Sequence, residues 1–292
     1  MFHSGRTYLL CSLLAAGLQA TGAQAYDVGS RILATGGATQ VEGSAGGGLV
    51  PWAVIGSYGQ AEEWGATVST SVVDTGDYQF QSTGVTVGIG NRLEVSLAHQ
   101  NLDISTLSNA LSLPDSELTQ NTVGFKLRLF GDLLYDQLPQ VSLGVQHKRN
   151  TDFDIPGLVG AVDDSGTDIY LSASRLWLDG IGGYPVLLSL TARHTKANQL
   201  GLLGFGGDQE GDAQWVGEAS VGVMLRRDLM LGYEYRQKPD NLGFAQEHDW
   251  QDVFVAWFPS KNISLVAAWA DLGDIATLED QRGAYFSLQA SF

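Results

Sequence analysis

The sequence has few charged residues, and few of those are basic. Only 16% of its 292 residues are charged, and 16 Lys and Arg stand against 32 Asp and Glu, a formal net charge of -16. A nucleic-acid-binding protein needs a concentrated basic surface, and this chain has too few cations to form one. The composition also argues against disorder, which combines high charge with few aromatic residues, because 10% of this sequence is aromatic.

Cysteine is nearly absent as well. The single cysteine, Cys11, lies in an N-terminal segment whose apolar run, 9–18, suits a signal peptide and is too short to cross a bilayer. Ala23-Gln24-Ala25 follows it as a cleavage site of the A-x-A type. We therefore predict a cleaved secretory signal peptide at 1–25 and one mature domain at 26–292, which has no thiol for disulfides or catalysis.

The mature sequence also lacks an apolar run of about 18 residues, the length that a transmembrane helix requires. An exported chain can still cross a membrane as a closed β-barrel, because the wall then satisfies every backbone hydrogen bond internally. Strands of such barrels are about 9–11 residues long and alternate lipid-facing with interior-facing residues. The C-terminal segment alternates in this way, with one face carrying Ala284, Phe286, Leu288, Ala290 and Phe292.

Two further patterns distinguish a membrane barrel from a soluble β-sandwich. Tight turns alternate with long polar connections near 102–117, 149–165, 198–212, 238–249 and 272–280, as periplasmic turns alternate with external loops. Phe292 ends the alternating segment and resembles the C-terminal signature that the outer-membrane assembly machinery recognises. We therefore predict an all-β, transmembrane antiparallel up-and-down β-barrel in the bacterial outer membrane, with outer-membrane lipid, lipopolysaccharide and this machinery as partners.

The favoured strand count is fourteen, which is even and leaves both termini in the periplasm. The predicted strands are 281–292, 262–271, 250–258, 229–237, 213–225, 185–196, 166–178, 139–148, 118–129, 92–101, 79–89, 64–73, 50–58 and 31–37. The first two along the chain are the least regular, because 35–48 is rich in glycine and alternates poorly. The alternative is a barrel of 12 strands with this Gly-rich segment folded inward as a plug.

Charged residues on the polar faces of these strands are expected inside the barrel, because Arg or Lys facing lipid at mid-bilayer costs about 2–4 kcal/mol. Since side chains alone fill barrels only up to about eight strands, we interpret them as lining a channel and setting its selectivity. The alternative is a ladder of ion pairs that makes the interior rigid. The candidate lumen residues are Arg92, Glu94, Lys126, Arg128, Lys148, Asp168, Arg193, Glu218, Glu234, Arg236 and Asp252.

The connection 198–212 contains apolar residues that a solvated loop would not need. We predict that it folds into the barrel mouth as a constriction through Leu202, Leu203 and Phe205. Acidic clusters in the long loops lack the spacing of a calcium-binding loop, so we predict no metal site and no cofactor.

Three histidines, His99, His147 and His194, share the apolar face of their strands and lie near the external ends. We interpret them as part of the interfacial girdle. A lipid-modifying enzyme would need an imidazole and a hydroxyl side by side, whereas alternation turns Ser96 and Thr195 inward, away from these imidazoles.

Five long segments give the mature chain a resemblance to a known family: GGATQVEGSAGGGLVPWA (36–53), LRLFGDLLYDQ (127–137), DDSGTDIY (163–170), TKANQLGLLGFGGD (195–208) and YRQKPDNLGFAQEHDWQDVFVAW (235–257). They resemble the proteobacterial outer-membrane family described as domain of unknown function 3034. The resemblance implies an exported, barrel-like protein and carries no assigned activity or binding residue.

The function that the sequence favours is a passive channel for small molecules, either porin-like or for small hydrophobic or aromatic nutrients. The second hypothesis is a closed or plugged barrel with a structural or envelope-complex role. A lipid-modifying outer-membrane enzyme is the third.

Overall fold

The computed structural model describes residues 29–111, 113, 115–244 and 246–292, so the predicted signal peptide lies outside the described residues. Two short strands, β1 (Ala38–Thr39) and β2 (Ala45–Gly46), precede twelve long ones. The long strands are β3 (Trp64–Asp74), β4 (Gln79–Ile89), β5 (Leu93–Asp103), β6 (Glu117–Phe130), β7 (Gln140–Asn150), β8 (Ser165–Trp177), β9 (Val186–Thr195), β10 (Gln214–Arg226), β11 (Leu229–Arg236), β12 (Trp250–Trp257), β13 (Ile263–Asp271) and β14 (Arg282–Ser291).

The twelve long strands form a closed antiparallel barrel, in which β14 pairs with β3. The last residue extends this seam. The amide of Phe292 donates to the carbonyl of Ala66 at 2.8 Å, and the amide of Ala66 donates back to Phe292 at 3.1 Å. Closure pairs the two strand edges that would otherwise template aggregation.

The two faces of the wall differ in chemistry. Along β12, buried and exposed residues alternate without interruption, as the period of two requires. The outward side chains include exposed large apolar groups such as Phe125, Trp215, Trp269 and Phe286, whereas the inward ones are mainly Ser, Thr, Gln and charged residues. An apolar outer face around a polar interior is the arrangement of a membrane barrel, and the predicted fold class is confirmed.

The barrel has one end with mostly short turns and one with longer loops. Residues 90–92, 227–228 and 258–262 form turns at the first end, which also holds the C-terminus. The second end carries two short helices, α1 (Ser105–Leu111) and α2 (Asp154–Leu158). We call the two ends periplasmic and external, after the asymmetry of outer-membrane barrels. Within the described part of the chain, no helix is both long and apolar enough to cross a membrane.

The preference for fourteen wall strands is wrong, and the alternative of 12 strands with a Gly-rich plug is correct. Residues 31–37 and 50–58, predicted as wall strands, belong to a segment that enters the lumen from the periplasmic end. We call residues 31–59 the plug. From residue 35 to 59 every plug residue is buried, because the wall surrounds it on all sides.

Glycine lets the plug turn and pack closely inside the barrel. β1 and β2 form a small hairpin in which Thr39 pairs with Ala45, and Gly43 in its tip has a φ of 94°, a region that side chains disfavour. A Cβ on Gly46 would lie 2.2 Å from the carbonyl oxygen of Val50. The poor alternation of this segment is therefore the signature of a folded interior element.

Candidate functional site

Amide and hydroxyl side chains of the wall hold the plug backbone. The carbonyl oxygen of Val41 accepts hydrogen bonds from Ser82 Oγ at 2.7 Å and Gln100 Nε2 at 2.8 Å. The carbonyl oxygen of Ala53 accepts one from Gln140 Nε2 at 2.6 Å. Because the plug has little secondary structure of its own, the wall supplies the partners that its buried backbone groups require.

An ion pair anchors the middle of the plug. Lys126 Nζ lies 3.1 Å from Glu94 Oε1, and both side chains are buried. The Glu94 carboxylate also accepts the amides of Ala45 at 3.1 Å and Gly56 at 2.7 Å. Lys126 donates to the carbonyl oxygens of Ala45 and Val54 at 2.8 and 3.0 Å. Each charge thus binds its opposite and the plug backbone together, as a buried charge requires.

The tip of the plug places a carboxylate among three wall cations. Glu42 is fully buried, and its Oε2 lies 2.7 Å from Arg236 Nη1 and 3.7 Å from Arg193 Nη2. Lys148 forms a third ion pair with it. The three cations come from β7, β9 and β11, near the external ends of these strands. We call Lys148, Arg193 and Arg236 the basic cluster.

Two wall carboxylates hold the basic cluster in place. Arg193 Nε lies 2.5 Å from Glu218 Oε1, and Arg193 Nη1 lies 3.2 Å from Asp168 Oδ2. Asp168 Oδ2 is also 2.7 Å from Lys148 Nζ. The wall therefore contributes three cations and two carboxylates here, and Glu42 of the plug supplies the third negative charge.

The basic cluster keeps Glu42 ionised. Burial alone would raise the pKa of Glu42, but Arg236, Lys148 and Arg193 lower that pKa well below its usual range. Removing either side of this contact would leave a buried charge without a partner, which is strongly unfavourable.

A second wall carboxylate contacts the plug without a cation. Glu234 Oε2 accepts the amides of Gly48 and Leu49, both at 2.7 Å. Asp252 lies directly across from Glu234 on β12, and both side chains are buried. In contrast to the basic cluster, Glu234 holds the plug through backbone amides.

Nine of the eleven candidate lumen residues are buried inside the barrel: Glu94, Lys126, Lys148, Asp168, Arg193, Glu218, Glu234, Arg236 and Asp252. Arg92 is different. It is exposed in the periplasmic turn before β5, because the strand begins one residue later than the alternation suggested. Arg128 is partly exposed near the periplasmic end and pairs with Asp132 at 2.9 Å. The role of all these residues in selectivity stays a prediction.

The external loop after β9 folds into the barrel mouth. Gln120 Nε2 donates to the carbonyl oxygen of Leu200 at 3.1 Å, and Asn150 Nδ2 donates to that of Leu202 at 2.6 Å. A Cβ on Gly166 would lie 2.3 Å from the Phe205 ring, so glycine on β8 makes room for this ring. The residues proposed as a constriction are all buried there: Leu202, Leu203 and Phe205.

Two external loops are tied together above the plug. Lys238 Nζ lies 2.9 Å from Glu247 Oε2, with both side chains almost fully buried. Gln199 connects this pair to the loop after β9, since its Nε2 donates to Glu247 at 2.7 Å and its Oε1 accepts from Lys238 at 3.2 Å. Burial raises the pKa of Glu247 and lowers that of Lys238, and their mutual attraction opposes both shifts.

Two small cavities lie between the plug and these loops. The larger encloses about 20 Å³, and its lining is almost entirely apolar, including Val41, Leu49, Phe80, Leu202 and Trp250. The smaller encloses about 10 Å³ beside Arg193, Arg236 and Lys238. Since one water molecule needs about 10–15 Å³, neither of these two cavities holds more than one or two waters.

The three histidines point outward. His99 Nδ1 lies 2.9 Å from Asn121 Oδ1, and His147 Nδ1 lies 3.0 Å from Thr167 Oγ1. The His194 ring packs on Trp215 with centroids 5.0 Å apart. Ser96 and Thr195 are buried on the opposite face. No three His, Cys, Asp or Glu side chains among the described residues form a group that could hold a metal ion.

Sequence reasoning missed the residue at the centre of the site. Strand alternation indicates which charges face the lumen, and it does not indicate Glu42 because Glu42 lies in a segment that does not alternate. The available signal was a lone acid in the glycine-rich stretch 36–48, opposite wall strands with excess cations. The wall amides and hydroxyls that hold the plug were missed for the same reason.

The fold and the lumen together define an outer-membrane β-barrel whose N-terminal segment plugs its own interior. The chain belongs to the family described as protein of unknown function (DUF3034), whose model matches residues 35–289. No curated protein matches its sequence.

Several solved barrels are similar in fold. The KdgM porin is 9% identical with a TM-score of 0.48, over 78% of this chain and 99% of that one. The NanC porin is 10% identical with a TM-score of 0.45, over 78% and 98%. The outer membrane protein Omp33 of Acinetobacter baumannii is 10% identical with a TM-score of 0.42, over 80% and 99%. At this identity the likeness concerns the barrel fold alone.

Proposed function

We propose that this protein is a passive outer-membrane channel for small apolar molecules, closed at rest by the plug. The observation that carries the proposal is the apolar cavity at the external mouth, whose floor is formed by Val41 and Leu49 of the plug. The cavity itself is too small for a solute, but its lining gives the mouth an apolar surface, and a molecule that reaches this surface from outside is separated from the lumen by the plug. Displacing the plug would open a barrel of twelve strands, which is wider than its side chains can fill.

The way the plug is held supports reversible displacement. Its polar contacts with the wall are hydrogen bonds and ion pairs to side chains such as Gln100, Lys126 and Arg236, and water entering an opened lumen can replace such partners. Apolar plug residues, among them Val41 and Leu49, also belong to the buried apolar cluster, and an apolar solute in the mouth would cover the surface that their departure exposes. The constriction loop and the Lys238–Glu247 pair would then set how far the mouth opens.

A disulfide between plug and wall tests the gate. A Cβ on Gly43 would lie 3.0 Å from the Cβ of Ala98 on β5, so a small shift of the plug tip brings the pair to the spacing of about 3.8 Å found in disulfides. The positive φ of Gly43 disfavours any side chain, and the single variant Gly43→Cys carries the same strain. The predicted mature chain has no cysteine, so the double variant Gly43→Cys, Ala98→Cys can form only this bond. Single-channel recordings in planar bilayers should show discrete openings when the variant is reduced and silence when it is oxidised.

The controls are the two single cysteine variants, which should behave alike with and without reductant. Openings that persist after complete oxidation would show that the plug is not the gate. Silence of the native and reduced proteins, with a folded and heat-modifiable barrel, would rule out the channel.

The second candidate is a permanently plugged barrel with a structural or envelope-complex role. The filled lumen favours it, since the two cavities are too small for a solute. The same recordings distinguish the two, because only a channel gives openings that depend on the redox state of the plug variant. A non-enzymatic role is part of both proposals.

A further inference from the structure

Glu42 contacts the basic cluster in the way that a carboxylate ligand contacts a cationic binding site. Without Glu42, the wall at this level would hold three cations against the carboxylates of Asp168 and Glu218. One positive charge would be left in excess in a buried position. A buried charge without a partner is costly, so an anion should take the place of Glu42 whenever the plug moves away.

We propose that the basic cluster is a binding site for the carboxylate of a transported molecule, and that Glu42 occupies this site while the channel is closed. The molecule would be a small acid with an apolar body. This proposal rests on the proposed channel function and names its substrate class.

The cluster is preorganised for a carboxylate. Arginine binds carboxylates through a planar fork of donors, and Arg236 presents Nη1 to Glu42 at 2.7 Å. Arg193 is fixed from three sides: by Glu218 at 2.5 Å, by Gln146 Oε1 at 2.7 Å, and by the ring of Tyr170, whose centroid is 5.0 Å away. Its guanidinium would therefore keep its position after Glu42 leaves.

The apolar body of the acid has a place next to the cluster. Arg236 Nη1 also donates to the carbonyl oxygen of Leu49 at 3.0 Å, and Leu49 lines the apolar cavity. The wall side of this cavity, which includes Phe80, Leu102 and Trp250, stays in place when the plug moves. A carboxylate in the basic cluster would thus lie at the edge of an apolar wall surface, in the space that Val41 and Leu49 occupy in the closed state.

The variant Glu42→Gln tests whether Glu42 competes with a carboxylate ligand for the basic cluster, because it removes the internal ligand and leaves the wall unchanged. Binding is measured by isothermal titration calorimetry on the detergent-solubilised barrel at pH 7.5, with sodium benzoate and its neutral analogue benzyl alcohol as probes. The native protein should bind benzoate weakly, since Glu42 competes for the site. Glu42→Gln should bind benzoate at least tenfold more tightly, with little change for benzyl alcohol.

Glu234→Gln is the matched control. It makes the same chemical change in a residue that also holds the plug, through Gly48 and Leu49, but it leaves Glu42 in the basic cluster. Any gain in benzoate affinity should therefore be much smaller than in Glu42→Gln. An equal gain in both variants would mean that loosening the plug is sufficient, and would overturn the carboxylate site.

The cations themselves are tested in the Glu42→Gln background. Adding Arg236→Gln should abolish the gain for benzoate, whereas Arg282→Gln, the same loss of charge at the external rim, should keep it. Benzoate bound no better than benzyl alcohol by Glu42→Gln would overturn the substrate class, while the redox-controlled openings of the cysteine variant would still support the channel. Loss of those openings instead would remove the proposed function on which this inference rests.

Discussion

Glu42 is the residue on which the closed state depends most. It is one plug side chain that meets three wall cations, and all four side chains are buried. Removing one partner of such a buried contact costs more than the contact itself contributes, because the remaining charges are left unpaired. The residue therefore determines both the position of the plug tip and the charge of the lumen.

The variant Gly46→Ala tests how tightly the plug hairpin is packed. Gly46→Ala places a Cβ 2.2 Å from the carbonyl oxygen of Val50, and because this contact is with backbone, the hairpin has to shift. Overpacking of this kind costs about 1–3 kcal/mol, so the fraction of time spent open in single-channel recordings should rise about tenfold.

Gly211→Ala is the control for that change. Gly211 lies in an external loop, where an added Cβ meets no atom within 4 Å. The open fraction of the Gly211→Ala variant should therefore equal that of the native protein. An unchanged open fraction in Gly46→Ala would contradict the tight packing of the hairpin.

The wall strands could be predicted almost to the residue, whereas the plug could not. Predicted strand 79–89 coincides with β4, and predicted 250–258 differs from β12 by one residue. Alternation works there because lipid and lumen impose opposite chemistry on successive residues. The plug has wall on every side, so no period of two is imposed, and its alternation is lost. This is also why 31–37 and 50–58 were misassigned and Glu42 was overlooked.

The lumen charges could likewise be predicted only where they lie on regular wall strands. Glu94 and Arg236 were found because they lie on strands, and Arg92 was misplaced because alternation does not say where a strand begins. Which cations converge on the plug carboxylate could not be predicted, since β7, β9 and β11 are not neighbours in the wall and Glu42 lies outside the strands.

The loops above the plug form an element that can be opened separately. Lys238→Met leaves Glu247 buried without its cation, at a cost of about 3–5 kcal/mol for a fully buried pair. The loop after β9 should then leave the mouth. In reconstituted protein, external protease should cleave within 198–212 at least tenfold faster than in the native barrel.

Two variants check that interpretation. Arg227→Met, an exposed cation in a periplasmic turn, should leave the cleavage rate unchanged. The double variant Lys238→Met, Glu247→Met removes both charges and should recover much of the native protection, because no unpaired charge remains. Fast cleavage of the double variant would mean that the pair does not hold the loop.

For the whole molecule, the lowered pKa of Glu42 predicts the response of the channel to acid. A carboxyl whose pKa is lower in the closed than in the open state stabilises the closed state above its ordinary pKa of about 4.3, and this contribution is lost as the pH falls through the lowered value. The contribution of Glu42 to the closed state should therefore be constant between about pH 8 and pH 5 and be lost only below about pH 4.

Recordings across this range provide the measurement, and Glu42→Gln provides the control, since the loss of closure below about pH 4 should be absent from it. An opening between pH 7 and pH 5 that occurs in the native protein and not in Glu42→Gln would contradict the assignment of Glu42 as the ionised anchor.

The seam between β14 and β3 has a consequence for biogenesis. The plug is joined to β3, one of the two strands that form the closing seam, through residues 60–63 alone. This short connection keeps the plug beside the periplasmic mouth while the wall closes, so it can enter the lumen from that end. The hydrogen-bonding side chains of the inner wall then supply the partners that the plug backbone requires, and a newly closed barrel would be sealed by a segment of its own chain.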